Sequence, residues 1–259
     1  MEKILVADLS SEFECIELYP VADVHVGAQE FKEKEFLAFV DYVAKTDNAY
    51  VILLGDLINN AIKSSVNNVY NETMSPQQQK LWIVENLKPI AHKILAMTDG
   101  NHERRSKKET DNNITQDIAM MLGIQDKYQE NDIKLKVRFG NWKGHQPKKL
   151  AYNIYATHGF SVGRRIGGVM NNLELSALNY ENVDVYIIAH AHKKAVYKNT
   201  AFLFDDRNNN VIERERYFVL TSSWTGYSGY AKQKMLIPNA YGTVKITLSG
   251  IEKKVSVEM

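Results

Sequence analysis

The sequence predicts an α/β fold, and three observations carry that expectation. Short apolar runs alternate with segments whose apolar residues recur at helical spacing. Several of those runs are continuous, as expected for strands buried on both faces of a sheet. Strand-like segments then succeed one another, without an intervening helix, to the end of the chain.

Residues 13–22 (FECIELYPVA) read as the first strand. Phe36, Leu37, Val40, Val43 and Ala44 then recur at helical spacing. AYVILLG at 49–55 is a buried central strand, and 57–75, rich in Asn and Ser, is a loop or irregular helix. Ser75 followed by Pro76 opens a helix over 76–92, because proline suits the first turn. ILAMT at 94–98 is a strand, 112–122 a helix, LAYNIYAT at 150–157 a strand, 168–178 a helix and VDVYIIA at 183–189 a strand. Segments 194–204 and 211–221, separated by the polar stretch Asp205 to Asn210, form a hairpin, and a second one turns at Ser249-Gly250. The expected organisation is one domain over 1–259, with antiparallel strands filling 194–259.

Composition narrows the function classes. Among 259 residues, 32 are basic and 31 acidic, so a polyanion-binding surface must be local rather than global. Cys15 is the single cysteine, which excludes an intrachain disulfide and a multi-thiolate zinc site. No stretch approaches the roughly 18 apolar residues that span a bilayer, and charges interrupt the N-terminal apolar residues. A cytoplasmic protein without a membrane partner is expected.

The informative pattern lies at the ends of the strands. Run 13–22 leads into Asp23 and His25, run 49–55 into Asp56, and run 94–98 into Asn101 and His102. Run 150–157 leads into His158, and run 183–189 into His190 and His192. Five strands thus deliver polar side chains at their carboxyl ends, the edge where open α/β sheets place their sites. Five of the seven histidines occupy these positions, whereas His92 and His145 read as ordinary surface or core residues. Imidazole and carboxylate donors suit first-row divalent ions such as manganese, iron or zinc.

Taken in order, the blocks DVH (23–25), GDLIN (55–59), GNHE (100–103), THG (157–159) and AHAH (189–192) resemble the calcineurin-like metallophosphoesterase superfamily. One block alone would be weak, but five in sequence are specific. The single departure is Ala189, where the family usually has glycine. The resemblance implies a four-layer α/β/β/α sandwich with mixed sheets and a site holding two divalent ions, manganese first among the candidates. It further implies that Asp23, His25 and His192 hold one ion, that Asn101, His158 and His190 hold the other, and that Asp56 bridges them. His102 would act as acid toward the leaving oxygen or stabilise transition-state charge. Asp99 is a weaker candidate for fixing its tautomer, and Asn59 for supporting the site.

Basic pairs come just after the ligand blocks at Arg104-Arg105, Arg164-Arg165 and Lys193-Lys194, and guanidinium forks match phosphate. At least one pair is expected to touch substrate, Arg104 foremost. Trp224, Tyr227 and Tyr230 could stack on a nucleobase, but packing against the sheet edge is the preferred expectation. The second block lacks the Asp-Arg-Gly of serine/threonine protein phosphatases, and DVHVG with GDLI is closer to exonucleases of the superfamily. A phosphodiesterase acting on a nucleic acid or nucleotide is therefore expected. A phosphomonoesterase or protein phosphatase is the alternative, and a non-catalytic scaffold a distant third.

Overall fold

A computed structural model of the chain describes residues 3–259 except 64, 66–68, 143–147, 160–164, 228–231 and 233–236. The strands are β1 (Leu5–Asp8), β2 (Cys15–Val21), β3 (Ala49–Leu54), β4 (Ile94–Thr98), β5 (Asp132–Trp142), β6 (Lys148–Thr157), β7 (Val185–Ile188), β8 (Ala195–Asp205), β9 (Asn210–Leu220), β10 (Lys245–Ser249) and β11 (Val255–Glu258). The helices are α1 (Glu33–Lys45), α2 (Pro76–Leu87), α3 (Asn101–Thr110), α4 (Ile114–Met121) and α5 (Ile166–Ser176). Two mixed sheets result, one ordered β11-β10-β2-β3-β4 and the other β1-β5-β6-β7-β9-β8. No helix among the described residues is long and apolar enough to cross a membrane.

The period of two along each strand explains the layers. In β3, Val51 and Leu53 face a core shared with α1, α2 and α4, while Ile52 and Leu54 face the core between the sheets. In β7, Val185 and Ile187 point into the inter-sheet core, and Tyr186 and Ile188 point outward against Val169 and Leu173 of α5. Continuous apolar runs are therefore strands covered on both sides, and the arrangement is the four-layer α/β/β/α sandwich that the family resemblance implies.

Local sequence sets the element ends. Ser75 caps α2, its Oγ accepting the Gln78 N–H while the Gln78 side chain accepts the Ser75 N–H, with Pro76 at the first turn. The helix expected over 76–92 stops earlier, at Leu87, and 88–93 is a tighter 3₁₀ turn. Lys88 itself keeps helical backbone and its N–H still bonds the Val84 carbonyl, but Pro89 has no N–H with which to carry the ladder on. The strands β1 and β5 and the helix α3 are additions to the elements expected from sequence. The first hairpin runs from β8 to β9, pairing Asp205 with Asn210 at its turn, but β9 also lies parallel to β7. The second hairpin, β10 and β11, joins β2 antiparallel.

Tyr152 ties the two sheets together. It is fully buried on β6, and its hydroxyl donates to the Ser249 carbonyl at 2.6 Å and accepts the Lys254 N–H at 3.1 Å, across in the β10–β11 turn. Tyr152→Phe removes this link without opening a large cavity. It should cost about 1–2 kcal/mol, lowering Tm by about 5 °C for a chain of this size. Differential scanning calorimetry checks the figure, and an unchanged Tm would show that the turn holds without it.

Candidate metal centre

Asp23 and His25 follow β2, Asp56 follows β3, and Asn101 and His102 open α3 directly after β4. His158 follows β6, while His190 and His192 follow β7. The first three strands belong to one sheet and the last two to the other, so the site lies where the carboxyl ends of both sheets meet. The backbone turns sharply there. Asp23, His25, Asp56, His190 and His192 all have left-handed φ, between 50° and 65°, a conformation that costs L-residues roughly 1–2 kcal/mol each. Such strain persists at sites that the surroundings over-determine. Two glycines allow the blocks to meet: a Cβ on Gly55 would overlap the Gly100 backbone, and one on Gly100 would overlap Asp56.

The predicted ligands converge on two overlapping groups. Asp23, His25 and His192 form one, and Asp23, Asp56, His158 and His190 the other, each with donor atoms within 4.8 Å of one another. In the first, His192 Nε2 lies 3.2 Å from Asp23 Oδ1 and 3.3 Å from His25 Nε2. In the second, His158 Nε2 lies 3.0 Å from both Asn101 Oδ1 and His190 Nδ1. Asp56 Oδ2 faces both groups, 3.4 Å from His158 Nε2 and 3.9 Å from His25 Nε2. The other Asp23 oxygen, Oδ2, accepts the His190 N–H at 2.9 Å, which joins the end of β7 to that of β2. His158 Nδ1 donates to the Leu54 carbonyl at 2.7 Å, leaving Nε2 as the donor turned toward the site.

The electrostatics arise from burial and from these neighbours. Burial raises the Asp56 carboxyl, but the His158 and His102 rings outweigh it and hold it well below the carboxylate range. Burial disfavours charge on His158 and His192 as well, yet the facing aspartates push both upward. His25 is held well below its ordinary value by burial and by the neighbouring His102.

His102 forms a third group with His25 and Asp56, donor atoms again within 4.8 Å of one another, and its Nε2 lies 3.7 Å from Asp56 Oδ2. Its backbone N–H donates to Asp56 Oδ1 at 2.8 Å, and its ring Nδ1 lies 2.6 Å from the Asn59 carbonyl. A carbonyl only accepts, so Nδ1 carries the hydrogen and Nε2 faces the site. Asn59 therefore fixes the tautomer, and Asp99 does not: its carboxylate pairs with Arg104 and accepts the Asn131 N–H.

Glu103 is the residue whose part sequence reasoning misses. Buried, it accepts backbone N–H groups from Asp56, Leu57, Ile58 and Gly100, at 2.7–3.3 Å. One carboxylate thus clamps the turn after β3 to the start of α3. Its presence in the GNHE block is the available signal.

The basic residues are placed unequally. Arg104 is committed to Asp99, whereas Arg105 Nη1 lies 3.4 Å from the Asn59 carbonyl, and its charge is felt at His102. Arg165 precedes α5 and is exposed, and Lys194 is partly buried. Arg164, His145 and Tyr230 lie outside the described residues. Trp224 packs against Phe36 and Phe39 of α1 rather than a sheet edge, and its backbone N–H donates to the Asp23 carbonyl. Tyr227 is exposed.

These residues fit a pair of divalent ions. Asp23 Oδ1 is buried without a hydrogen-bond donor, and the His192 Nε2 nitrogen faces it at 3.2 Å. Two carboxylates, an amide oxygen and four imidazoles without thiolate form a donor set for first-row ions. The calcineurin-like phosphoesterase family matches residues 19–194, more than half of the sequence. The chain belongs to this family. Its members are metal-dependent phosphoester hydrolases with a dinuclear divalent metal site. Ala189, where the family usually has glycine, is free of left-handed backbone and its methyl packs in the inter-sheet core.

No curated protein matches the sequence. Among solved structures, the NAD nucleotidase NadN of Haemophilus influenzae is similar over 95% of this chain and 49% of its own, at 10% identity and TM-score 0.41. The chain thus spans about half the length of that protein. A hypothetical protein of Pyrococcus horikoshii is similar over 93% of this chain and 86% of its own, at 7% identity and TM-score 0.42.

Two outcomes are expected. Glu103→Gln places a donor against at least one of the backbone N–H groups, and should cost about 3 kcal/mol and weaken manganese binding about tenfold or more. Calorimetry and metal titration check both, and an unaltered Tm would refute the clamp. Saturating manganese at about 100 times its Kd should add about 2.7 kcal/mol of stability. Thermal unfolding should show that gain in the wild type and a much smaller one in Asp56→Asn.

Proposed function

We propose that the chain hydrolyses phosphodiesters of a nucleic acid or nucleotide, with manganese as the working metal. The observation that carries this reading is the meeting of the seven predicted ligand side chains where the carboxyl ends of the two sheets come together, with His102 beside them. Asp23, His25 and His192 would hold one ion, Asn101, His158 and His190 the second, and Asp56 both. When bound, the ions acidify water and neutralise charge on phosphoryl oxygens.

The chain's own residues do the rest. His102 Nε2 is the free ring nitrogen turned toward the ligands, while Nδ1 stays on Asn59. Burial lowers the pKa of His102, and the Asp56 charge opposes it. An anionic phosphate beside Nε2 favours the imidazolium further. That cation is the acid that gives the leaving oxygen its proton.

Preference for a diester is supported by the sparse cationic lining among the described residues. The second block runs GDLINNAI and lacks the Asp-Arg-Gly of the protein phosphatases, and Arg104 is neutralised by Asp99. A diester carries one negative charge and asks less of such a site than a dianionic monoester does.

The test is the manganese-loaded protein on bis-p-nitrophenyl phosphate, p-nitrophenyl phosphate and single-stranded DNA. Turnover of the diester and of DNA above the monoester is expected, and chelation should abolish it. Strong monoester turnover with inert diester and DNA would overturn the proposal. His102→Ala should lower kcat about 100-fold or more on DNA while metal affinity holds.

A further inference from the structure

The loop between β3 and α2 carries a buried polar network that hydrolysis by the metal pair and His102 does not itself require. Gln79 of α2 is completely buried, and each polar atom of its amide is committed. Oε1 accepts the Asn60 N–H at 2.9 Å, while Nε2 donates to Glu72 Oε2 at 2.9 Å and to the Met74 carbonyl at 2.8 Å. Glu72 Oε1 in turn accepts the Asn59 Nδ2 amide at 2.6 Å. Asn59 and Asn60 are thus gripped from α2, one through its side chain and the other through its backbone. Both then reach His102: the Asn59 carbonyl receives ring Nδ1 at 2.6 Å, and Asn60 Nδ2 donates to the His102 carbonyl at 2.7 Å. Burying an amide is costly unless every partner is supplied, and here the partners lead to one imidazole.

We propose that Glu72 and Gln79 are positioning residues for His102, holding the Asn59 carbonyl where it fixes the ring's tautomer and aim. Neither touches a metal ligand or the reacting atoms. The proposal rests on His102 acting as acid. In that step the oxygen of a water molecule bonds to phosphorus and its proton passes to solvent, while the bond between phosphorus and the leaving oxygen breaks with its electron pair going to that leaving oxygen. The leaving oxygen takes the proton from Nε2, and the other ring hydrogen stays on Nδ1, donated to the Asn59 carbonyl. A ring held loosely would fail most where the leaving group most needs a proton.

The experiment compares two substrates of the manganese-loaded protein: the p-nitrophenyl ester of thymidine monophosphate, whose leaving phenol is acidic, and a thymidine dinucleotide, whose leaving alcohol is not. Gln79→Met and Glu72→Ala should lower kcat about threefold or less on the ester and about tenfold or more on the dinucleotide, with KM and manganese affinity within about twofold. Glu72 is half-buried on a loop, so its variant serves should Gln79→Met fold poorly. In the background of His102→Ala, Gln79→Met or Glu72→Ala should add less than about twofold, because they act through the missing ring. Equal losses on both substrates, or losses that multiply with His102→Ala, would overturn the positioning role. A His102→Ala enzyme that loses the same factor on both substrates would instead overturn the acid assignment itself, and positioning with it.

Discussion

Two buried carboxylates, Asp23 and Asp56, face each other's ligand groups with no lysine or arginine paired to them among the described residues, and the site is organised around that fact. Their ion-pair partners are imidazoles. An uncompensated buried anion costs several kcal/mol, so the protein must supply positive charge there. Without metal, protons on His158 and His192 meet part of that need, which is why the facing aspartates push both rings upward against burial. Divalent ions meet it more completely, and ligation then requires those protons to leave.

The scaffold sustains this concentration of charge. Five of the predicted ligands sit in left-handed backbone, a strain that a loose loop would relax. Here each ligand follows a strand whose both faces are packed, as in β3 and β7. Glu103 commits its carboxylate to four backbone N–H groups, locking the Asp56 turn to the helix that begins with Asn101 and His102. The His158 bond to the Leu54 carbonyl and the bond of the His190 N–H to Asp23 stitch the two sheets together at the same edge. Rigid positioning and electrostatic demand therefore have a common origin in the strand ends.

Much of this is legible in the sequence because ligand residues mark strand ends. The runs before Asp23, Asp56, Asn101, His158 and His190 are all strands, and the seven residues predicted as ligands meet. The helix α3 is hidden because NHERRSKKET has no apolar stripe; it exists to present Asn101 and His102, and buries only His102, Glu103 and Ser106. The strand β5 is different: Ile133, Leu135, Val137 and Phe139 alternate with Lys134, Lys136 and Arg138 and all four enter the inter-sheet core. Its pattern is readable, but it delivers no ligand. Contacts that depend on backbone carbonyls, such as Asn59 on His102, leave no residue signature, and Asp99 is the wrong partner for that reason.

Anomalous X-ray scattering from crystals of the manganese-loaded protein tests the central claim most directly. Two manganese peaks should be found, one among Asp23, His25 and His192 and one among Asn101, His158 and His190, with Asp56 touching both. A single peak, or a second one held by other residues, would contradict it.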